Sequence, residues 1–223
     1  MKSLHVIAAF LLWGICLQAQ EVDADLLAVK ARLDSIASYK ASMSLDIKAE
    51  FIKMPTKYAK VSYVKNKPMT FSSENFVLIP KKGLDFTLAQ LFAYPFITVD
   101  RGVEKWEDKT YKVLNIIPDD DKSEYTLAKL LLDTSLMRIV RSEIHTRKEG
   151  SFTLELKYAK EENILPELVE IFFELDKLRI PFNFLGKDSE IDRKKLRSVE
   201  TKSGSILLKF NDYQIQKLPE ASG

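Results

Sequence analysis

The sequence predicts a mainly β protein of the α+β class, in which a large, curved antiparallel sheet is covered by one leading helix. Three observations support this. Apolar residues follow a helical period near the start of the chain, they alternate with polar residues over most of the remainder, and short turn signals separate neighbouring segments. Short connections join antiparallel neighbours, so we expect a meander. With 223 residues, of which 46% are hydrophobic, the chain can build one core.

The first residues have the pattern of a secretory signal peptide. Lys2 provides a positive charge, an apolar run covers residues 4–15, and polar residues follow at once. A transmembrane helix needs about 20 apolar residues, and this run is shorter. We predict a signal peptide over residues 1–19, with cleavage after Ala19, and a single domain over residues 20–223. The alternative is a lipoprotein anchor at Cys16, which is less favoured because the large Ile15 precedes it.

The scarcity of histidine and cysteine excludes several classes of site. The chain has two histidines and one cysteine, and His5 and Cys16 would leave with the signal peptide. The mature protein would then lack disulfides, a cysteine nucleophile and a His/Cys zinc site. A Ser-His-Asp triad could form only around His145, whose strand neighbours Arg141 and Glu143 are polar, so we predict a solvent-facing histidine and no enzyme. The net charge of +2 argues against nucleic-acid binding.

The leading helix is predicted over residues 23–39. Asp23 and Asp25 stand where a helix N-terminus favours acidic residues. The apolar face consists of residues three and four apart, namely Leu26, Val29, Leu33 and Ile36.

The strands follow from alternation of apolar and polar residues, which predicts one buried face and one wet face. They are expected over residues 42–53, 58–65, 70–79, 127–132, 136–144, 152–158, 169–175 and 206–210. A short helical insert is predicted over residues 88–94, capped by Thr87 and stopped by Pro95. Loops are expected at residues 81–83, 118–121 and 186–204.

The aromatic residues suggest an enclosed apolar cavity. The chain has 13 Phe and 8 Tyr, and several aromatic residues gather around the short insert, where they would form either a lid or a small core under a loop. The strand faces point inward on any interpretation, but they could line a cavity or fill a dry core. The predicted cavity residues are Tyr63, Phe92, Phe96, Trp106, Phe152, Leu154, Leu156, Val169, Ile171 and Phe173.

Two charged segments have a structural and a functional interpretation. Residues 119–121 are three aspartates that could bind calcium, but they lack the spaced ligands of a calcium loop, so we favour a solvated turn. Residues 192–197 are rich in basic side chains and could contact an anionic partner, although such runs are usually solvated faces. We therefore expect neither a metal nor another cofactor.

Three segments have the pattern of strands and turns: residues 63–71 (YVKNKPMTF), with an aromatic–Lys–Pro–aromatic strand-turn-strand, residues 76–86 (FVLIPKKGLDF), and residues 130–139 (LLLDTSLMRI), with a central Asp in a hairpin. All three resemble segments of the LolA-like superfamily, and residues 76–86 resemble a segment common in its Bacteroidetes-type branch. The superfamily includes periplasmic proteins similar to the outer-membrane lipoprotein carrier. The order of elements is similar as well.

The resemblance implies an incomplete antiparallel β-barrel whose open side is closed by the N-terminal helix and the insert. It implies a monomeric, non-catalytic protein of the periplasm that binds acyl chains of lipoproteins or other lipids and exchanges them with membrane delivery and acceptor proteins. Lys67 matches the position of an arginine that governs release in the carrier. The alternative is an envelope-stress sensor similar to the RseB-type regulators. Those usually carry a second domain, for which we expect no room here.

Overall fold

The fold is one large antiparallel sheet with a helix packed on its inner face. The computed structural model describes residues 22–73, 91–148, 150–175, 188–198 and 200–219. The ten strands of the main sheet run in the order β4-β3-β1-β12-β10-β9-β8-β7-β6-β5. In the described part of the chain the outer strands β4 and β5 do not pair, so the sheet is an incomplete barrel. The predicted fold class is confirmed.

The elements have the following bounds. The helices are α1 (Ala24–Asp34) and α2 (Arg193–Ser198). The strands are β1 (Ile36–Lys48), β2 (Ile52–Lys53), β3 (Lys57–Val64), β4 (Thr70–Ser72), β5 (Phe96–Trp106), β6 (Lys109–Pro118), β7 (Tyr125–Asp133), β8 (Arg138–Thr146), β9 (Gly150–Lys157), β10 (Leu168–Leu175), β11 (Glu190–Ile191) and β12 (Lys202–Lys217). Strands β2 and β11 pair with each other in a separate small sheet.

Helix α1 is shorter than the sequence predicts. It begins as expected, since the Asp23 carboxylate accepts hydrogen bonds from the amides of Asp25 and Leu26 at 3.0 and 3.3 Å. It ends at Asp34, and Ile36, which was assigned to the helical face, begins β1. The reason is tertiary: Ile36 pairs with Lys217 at the far end of the chain. Pairing with β12 therefore overrides the helical spacing.

The meander from β5 to β10 connects neighbours in chain order, as predicted, but the sequence interpretation missed β5 and β6. In β6, Val113 and Leu114 are both buried although they point to opposite faces, so the strand does not alternate cleanly. The stretch predicted as a loop over residues 186–204 also contains β11 and α2. Asp192 caps α2 by accepting bonds from the amides of Lys194 and Lys195, both at 3.0 Å.

The main core lies between α1 and the inner face of the sheet. It includes Leu26 of α1 together with Leu130 and Ile144, which are almost completely buried. Burying a side chain of this size stabilises the fold by about 1.5–3 kcal/mol. A second, smaller cluster on the outer face contains Val113 and Leu131. The segment of the predicted insert before Leu91, and the predicted strand beyond residue 73, lie outside the described residues.

No helix in the described ranges is long and apolar enough to cross a bilayer.

Candidate ligand cavity

A cavity of about 420 Å³ lies between α1 and the inner face of the sheet. Its volume is in the range of small-molecule sites, about 300–1,000 Å³. Its walls are mostly apolar, and they include two exposed side chains, Phe71 (38% exposed) and Met137 (44% exposed), so the cavity reaches solvent. The helix contributes Val29 and Leu33 to the wall, and the floor comes from the central strands.

Polar contacts at both ends hold α1 across the cavity. At its N-terminus, Lys112 of β6 pairs with Asp23 at 2.7 Å and with Asp25 at 2.6 Å. At its C-terminus, the Arg32 guanidinium donates to the carbonyl oxygens of Leu136 and Glu162, the latter at 3.1 Å. The helix is therefore fixed to the sheet by its ends, which allows a space under its middle to persist.

The Lys112 anchor is stable as an ion pair. Burial lowers the pKa of Lys112, but hydrogen bonds to Asp23 and Asp25 outweigh burial and raise the pKa above its ordinary value overall. The Lys112 ammonium therefore remains charged over the physiological range. Its two carboxylate partners also stand at the positive end of the helix dipole, which favours them there.

One wall of the cavity is aromatic. Tyr39 of β1 stacks on Tyr63 of β3 with ring centroids 5.2 Å apart, and it meets Tyr213 of β12 edge-on at 5.8 Å. Tyr213 in turn stacks on Phe210 at 6.0 Å and donates to the Pro166 carbonyl oxygen at 2.8 Å. These rings come from β1, from its neighbour β3 and from the last strand β12, so the wall depends on the pairing of β1 with both neighbours.

The cavity tyrosines hold their protons tightly. Burial raises the pKa of Tyr39 and Tyr213 well above the ordinary value of 10.0. A pKa that is higher in the folded state stabilises the fold below the unfolded pKa, and this stabilisation is lost as the pH rises above it.

We therefore expect the melting temperature to fall as the pH rises beyond about 10, and the Tyr213→Phe variant to show a smaller fall. The variant keeps the ring but loses one hydrogen bond, worth about 1 kcal/mol. Thermal melts of both proteins across a pH series measure the difference. Identical alkaline slopes would contradict the assignment of Tyr213 as a buried, protonated phenol.

The structure brings six of the predicted site residues to the cavity wall and places the others elsewhere. The six are Tyr63, Phe92, Leu154, Leu156, Val169 and Ile171. Phe152 and Phe173 lie in the core on the same sheet face but do not line the cavity. Phe96 packs edge-on against Phe92, with ring centroids 5.0 Å apart, but does not itself line the cavity.

Trp106 and Lys67 lie away from the cavity. Trp106 packs against the outer cluster, with its ring 6.0 Å from that of Tyr111. Lys67 is exposed in the turn between β3 and β4, where its amide donates to the Val64 carbonyl oxygen at 3.0 Å. Neither residue lines the cavity.

Several wall residues were missed by the sequence interpretation. Tyr39 was placed at the end of the predicted helix, and Tyr213 lay beyond the predicted end of the last strand. The only sequence signal for Tyr213 is the aromatic pair it makes with Phe210. Arg32 and Arg138 also line the cavity, and their type did not suggest this position, because charged residues are usually exposed.

The other candidate residues form no second site. His145 is exposed, with its Nδ1 2.9 Å from the Ser151 hydroxyl. Asp120 accepts a bond from the Lys122 amide at 2.7 Å, which is the contact of a turn. Among the described residues, no group of three potential metal ligands clusters together.

Solved structures of other proteins share this fold. A domain from Vibrio parahaemolyticus named for outer membrane lipoprotein sorting aligns over 87% of this chain and 94% of its own, with 15% sequence identity and a TM-score of 0.51. A DUF1329 family protein from Desulfovibrio piger aligns over 87% of this chain and 93% of its own, with 9% identity and a TM-score of 0.51.

A LolA superfamily protein from Nitrosomonas europaea aligns over 87% of this chain and 95% of its own, with 11% identity and a TM-score of 0.47, and a likeness at this score carries no argument. The sequence matches no protein-family model and no curated protein. The fold predicted from the sequence is shared with the first two of these structures, and at these identities the likeness establishes the fold alone.

Proposed function

We propose that this LolA-like chain is a non-catalytic lipid-binding protein of the periplasm, which carries an acyl chain of a lipoprotein or another lipid between membranes. The observation that carries the proposal is the cavity of about 420 Å³ between α1 and the sheet, with its mostly apolar wall. The export pattern of residues 1–19 supports the proposed compartment. A transport or chaperone role needs shelter for the lipid and no reacting group.

The size of the cavity matches one acyl chain of moderate length. If each methylene group takes the volume of one water molecule in the liquid, ~30 Å³, a cavity of 420 Å³ holds on the order of a dozen methylene groups. Each methylene removed from water contributes about 0.8 kcal/mol, so a dozen contribute on the order of 10 kcal/mol before the costs of association. This gross gain is sufficient for micromolar binding.

The wall residue Leu154 offers a direct test. It lies on β9, is 9% exposed and faces the cavity, so a tryptophan at this position would occupy the space of the ligand. We expect Leu154→Trp to weaken binding of a fluorescent fatty acid at least tenfold, because the lost volume removes several methylene contacts. Titration of the purified protein with the probe measures the affinity, and a thermal melt checks the fold.

The control is Leu175→Trp, a matched change on β10. Leu175 is 7% exposed and belongs to the same core but does not line the cavity. We expect this variant to lose about 1–3 kcal/mol of stability by overpacking while its folded fraction still binds the probe. If the wild type binds no lipid probe and native mass spectrometry of the periplasmic protein finds no co-purified lipid, the carrier function is refuted. An envelope interaction protein would then be the better account.

A further inference from the structure

The charged side chains of the cavity wall are unbalanced. The wall contains Lys30, Arg32, Asp34 and Arg138. Lys30 forms an ion pair with Asp34 one helical turn away, so these two charges cancel. The two arginines remain, and both lie at the end of the cavity that faces the loop after β9. There the Arg32 guanidinium donates to the backbone carbonyl oxygen of Glu162, and the Arg138 guanidinium donates to the backbone carbonyl oxygen of Lys160 at 3.5 Å.

Arg138 has hydrogen-bonding capacity that the protein does not use. Its side chain is only 12% exposed, and its Nε is buried without a hydrogen-bond partner. The nearest carboxylate oxygen, Oδ2 of Asp133, is 3.6 Å from this nitrogen, which is too long for a hydrogen bond. The guanidinium lies 4.4 Å from the centre of the Tyr158 ring. The ring holds the guanidinium plane in place but cannot accept its in-plane donors.

The local charge at this end of the cavity is positive. In the part of the chain that the structure describes, Arg32 donates to neutral carbonyl oxygens, those of Leu136, Glu162 and Asn163. Within the described residues, Asp133 is the carboxylate that pairs with Arg138, and its Oδ1 already accepts hydrogen bonds from the Ser135 hydroxyl at 2.6 Å and the Leu136 amide at 3.1 Å. Two guanidinium groups thus face one carboxylate, which leaves about one positive charge beside an apolar cavity.

The pKa of Tyr158 is affected by the positive charge of both arginines. Burial raises the pKa of Tyr158 to about 12, while Arg138 and Arg32 act in the opposite direction and Asp133 in the same direction as burial. Both cations therefore lie close enough to the Tyr158 hydroxyl to influence an anion there. The hydroxyl itself donates to the Ile139 carbonyl oxygen at 2.8 Å.

We propose that the Arg32–Arg138 end of the cavity binds the oxyanion head group, a carboxylate or a phosphate, of a single-chain lipid whose tail fills the apolar part. The proposal rests on the proposed lipid-binding function and specifies its ligand class. A guanidinium fork matches the two oxygens of a carboxylate or phosphate, and it is rigid when stacked on a ring. Head-group selection thus falls to Arg138 inside the cavity and not to the exposed Lys67.

The experiment compares ligands that share a tail and differ in the head group. Dodecanoate, dodecyl phosphate and methyl dodecanoate each displace a fluorescent fatty acid from the full chain. We expect the two anions to bind about tenfold more tightly than the neutral ester, since a hydrogen bond to a charged group contributes at this level. The tighter of the two anions identifies whether the head group is a carboxylate or a phosphate.

Variants assign the effect to Arg138. Arg138→Gln should reduce the preference for anion over ester to less than about twofold. The matched control is Arg141→Gln on the same strand, where an arginine pairs with Glu143 at 3.1 Å outside the cavity wall, and the preference should persist. Arg138→Lys keeps the charge and should retain part of the preference. It replaces Arg138→Gln in the comparison if the glutamine variant does not fold.

The outcomes separate the two proposals. If the wild type binds dodecanoate and its methyl ester equally well, the oxyanion site is refuted while lipid binding stands. If Arg141→Gln abolishes the preference as fully as Arg138→Gln, the site is misassigned and the proposal fails. If none of the three amphiphiles binds, the proposed function fails and the head-group site fails with it.

Discussion

Replacing Ile116 by aspartate is expected to unfold the protein at room temperature. Ile116 is completely buried in the main core, near the C-terminal end of β6, where it pairs with Thr98 on one side and Ala128 on the other. It does not line the cavity, so no solvent-filled space can accept the new carboxyl group. Loss of the apolar side chain costs about 2–5 kcal/mol, and burial of an unpaired polar group adds to this. The sum is comparable to the typical stability of a domain, about 5–15 kcal/mol.

The neighbouring residue provides the control for this substitution. Asn115 points to the other face of β6, is half-buried, and stands opposite Lys129 of β7. We expect Asn115→Asp to change stability by less than about 0.5 kcal/mol, because the new charge lies opposite a cation. Chemical denaturation of both variants tests the orientation of the strand. A similar loss in the two proteins would show that the assigned inner face of β6 is wrong.

Replacing Gly150 by alanine is expected to cost about 3–5 kcal/mol, through backbone strain and a steric clash together. Gly150 begins β9 with a φ of +120°, a conformation that L side chains rarely adopt. A Cβ atom there would overlap the backbone carbonyl oxygen of Glu174 and lie 3.0 Å from the Cα of Leu175. The β9–β10 pairing, which supports Leu154 and Ile171 on the cavity wall, would have to shift.

Gly102→Ala separates strain from clash. Gly102 interrupts β5 with a φ of +80°, and a Cβ atom added there would meet nothing within 4 Å. Only the strain remains, so we expect a loss of about 1 kcal/mol. Urea denaturation of the two variants gives the comparison. If Gly102→Ala is as damaging as Gly150→Ala, the close approach of β9 to β10 is not the cause of the larger effect.

The basic residues at the cavity are not the one that the resemblance indicates. The resemblance directed attention to Lys67, which is exposed in a turn and outside the cavity wall. Arg32 lies in none of the three segments that resemble the family, and Arg138 lies in the segment 130–139 but was not among the predicted site residues, yet both line the cavity. Arg138 begins β8 directly after a turn, and this position at a strand end allows its side chain to reach the Tyr158 ring. A charged side chain beside an apolar cavity is kept in position by the residues packed against it. Because those residues are distant in sequence, they produce no local sequence pattern.

The sequence by itself determined the elements that depend on local periodicity and local turns. The start of α1, the hairpin from β7 to β8, and the inward faces of β9 and β10 all follow from spacing and from residues such as Asp23, because a cap or an alternating face is decided by near neighbours. The strand-turn-strand patterns also sufficed to predict the class of the fold.

Only the tertiary structure decided where α1 stops, how far β1 and β12 extend, and which aromatic residues meet. Ile36 leaves the helix because β1 pairs with β12, and the same pairing brings Tyr39 to Tyr213 across most of the chain. The tertiary structure also decided that Trp106 packs on the outer face of the sheet. These outcomes depend on contacts between residues far apart in sequence, whose free energy exceeds the small differences in local propensity. The cavity depends most strongly on such contacts, because its position and volume are set by how several elements distant in sequence pack around it.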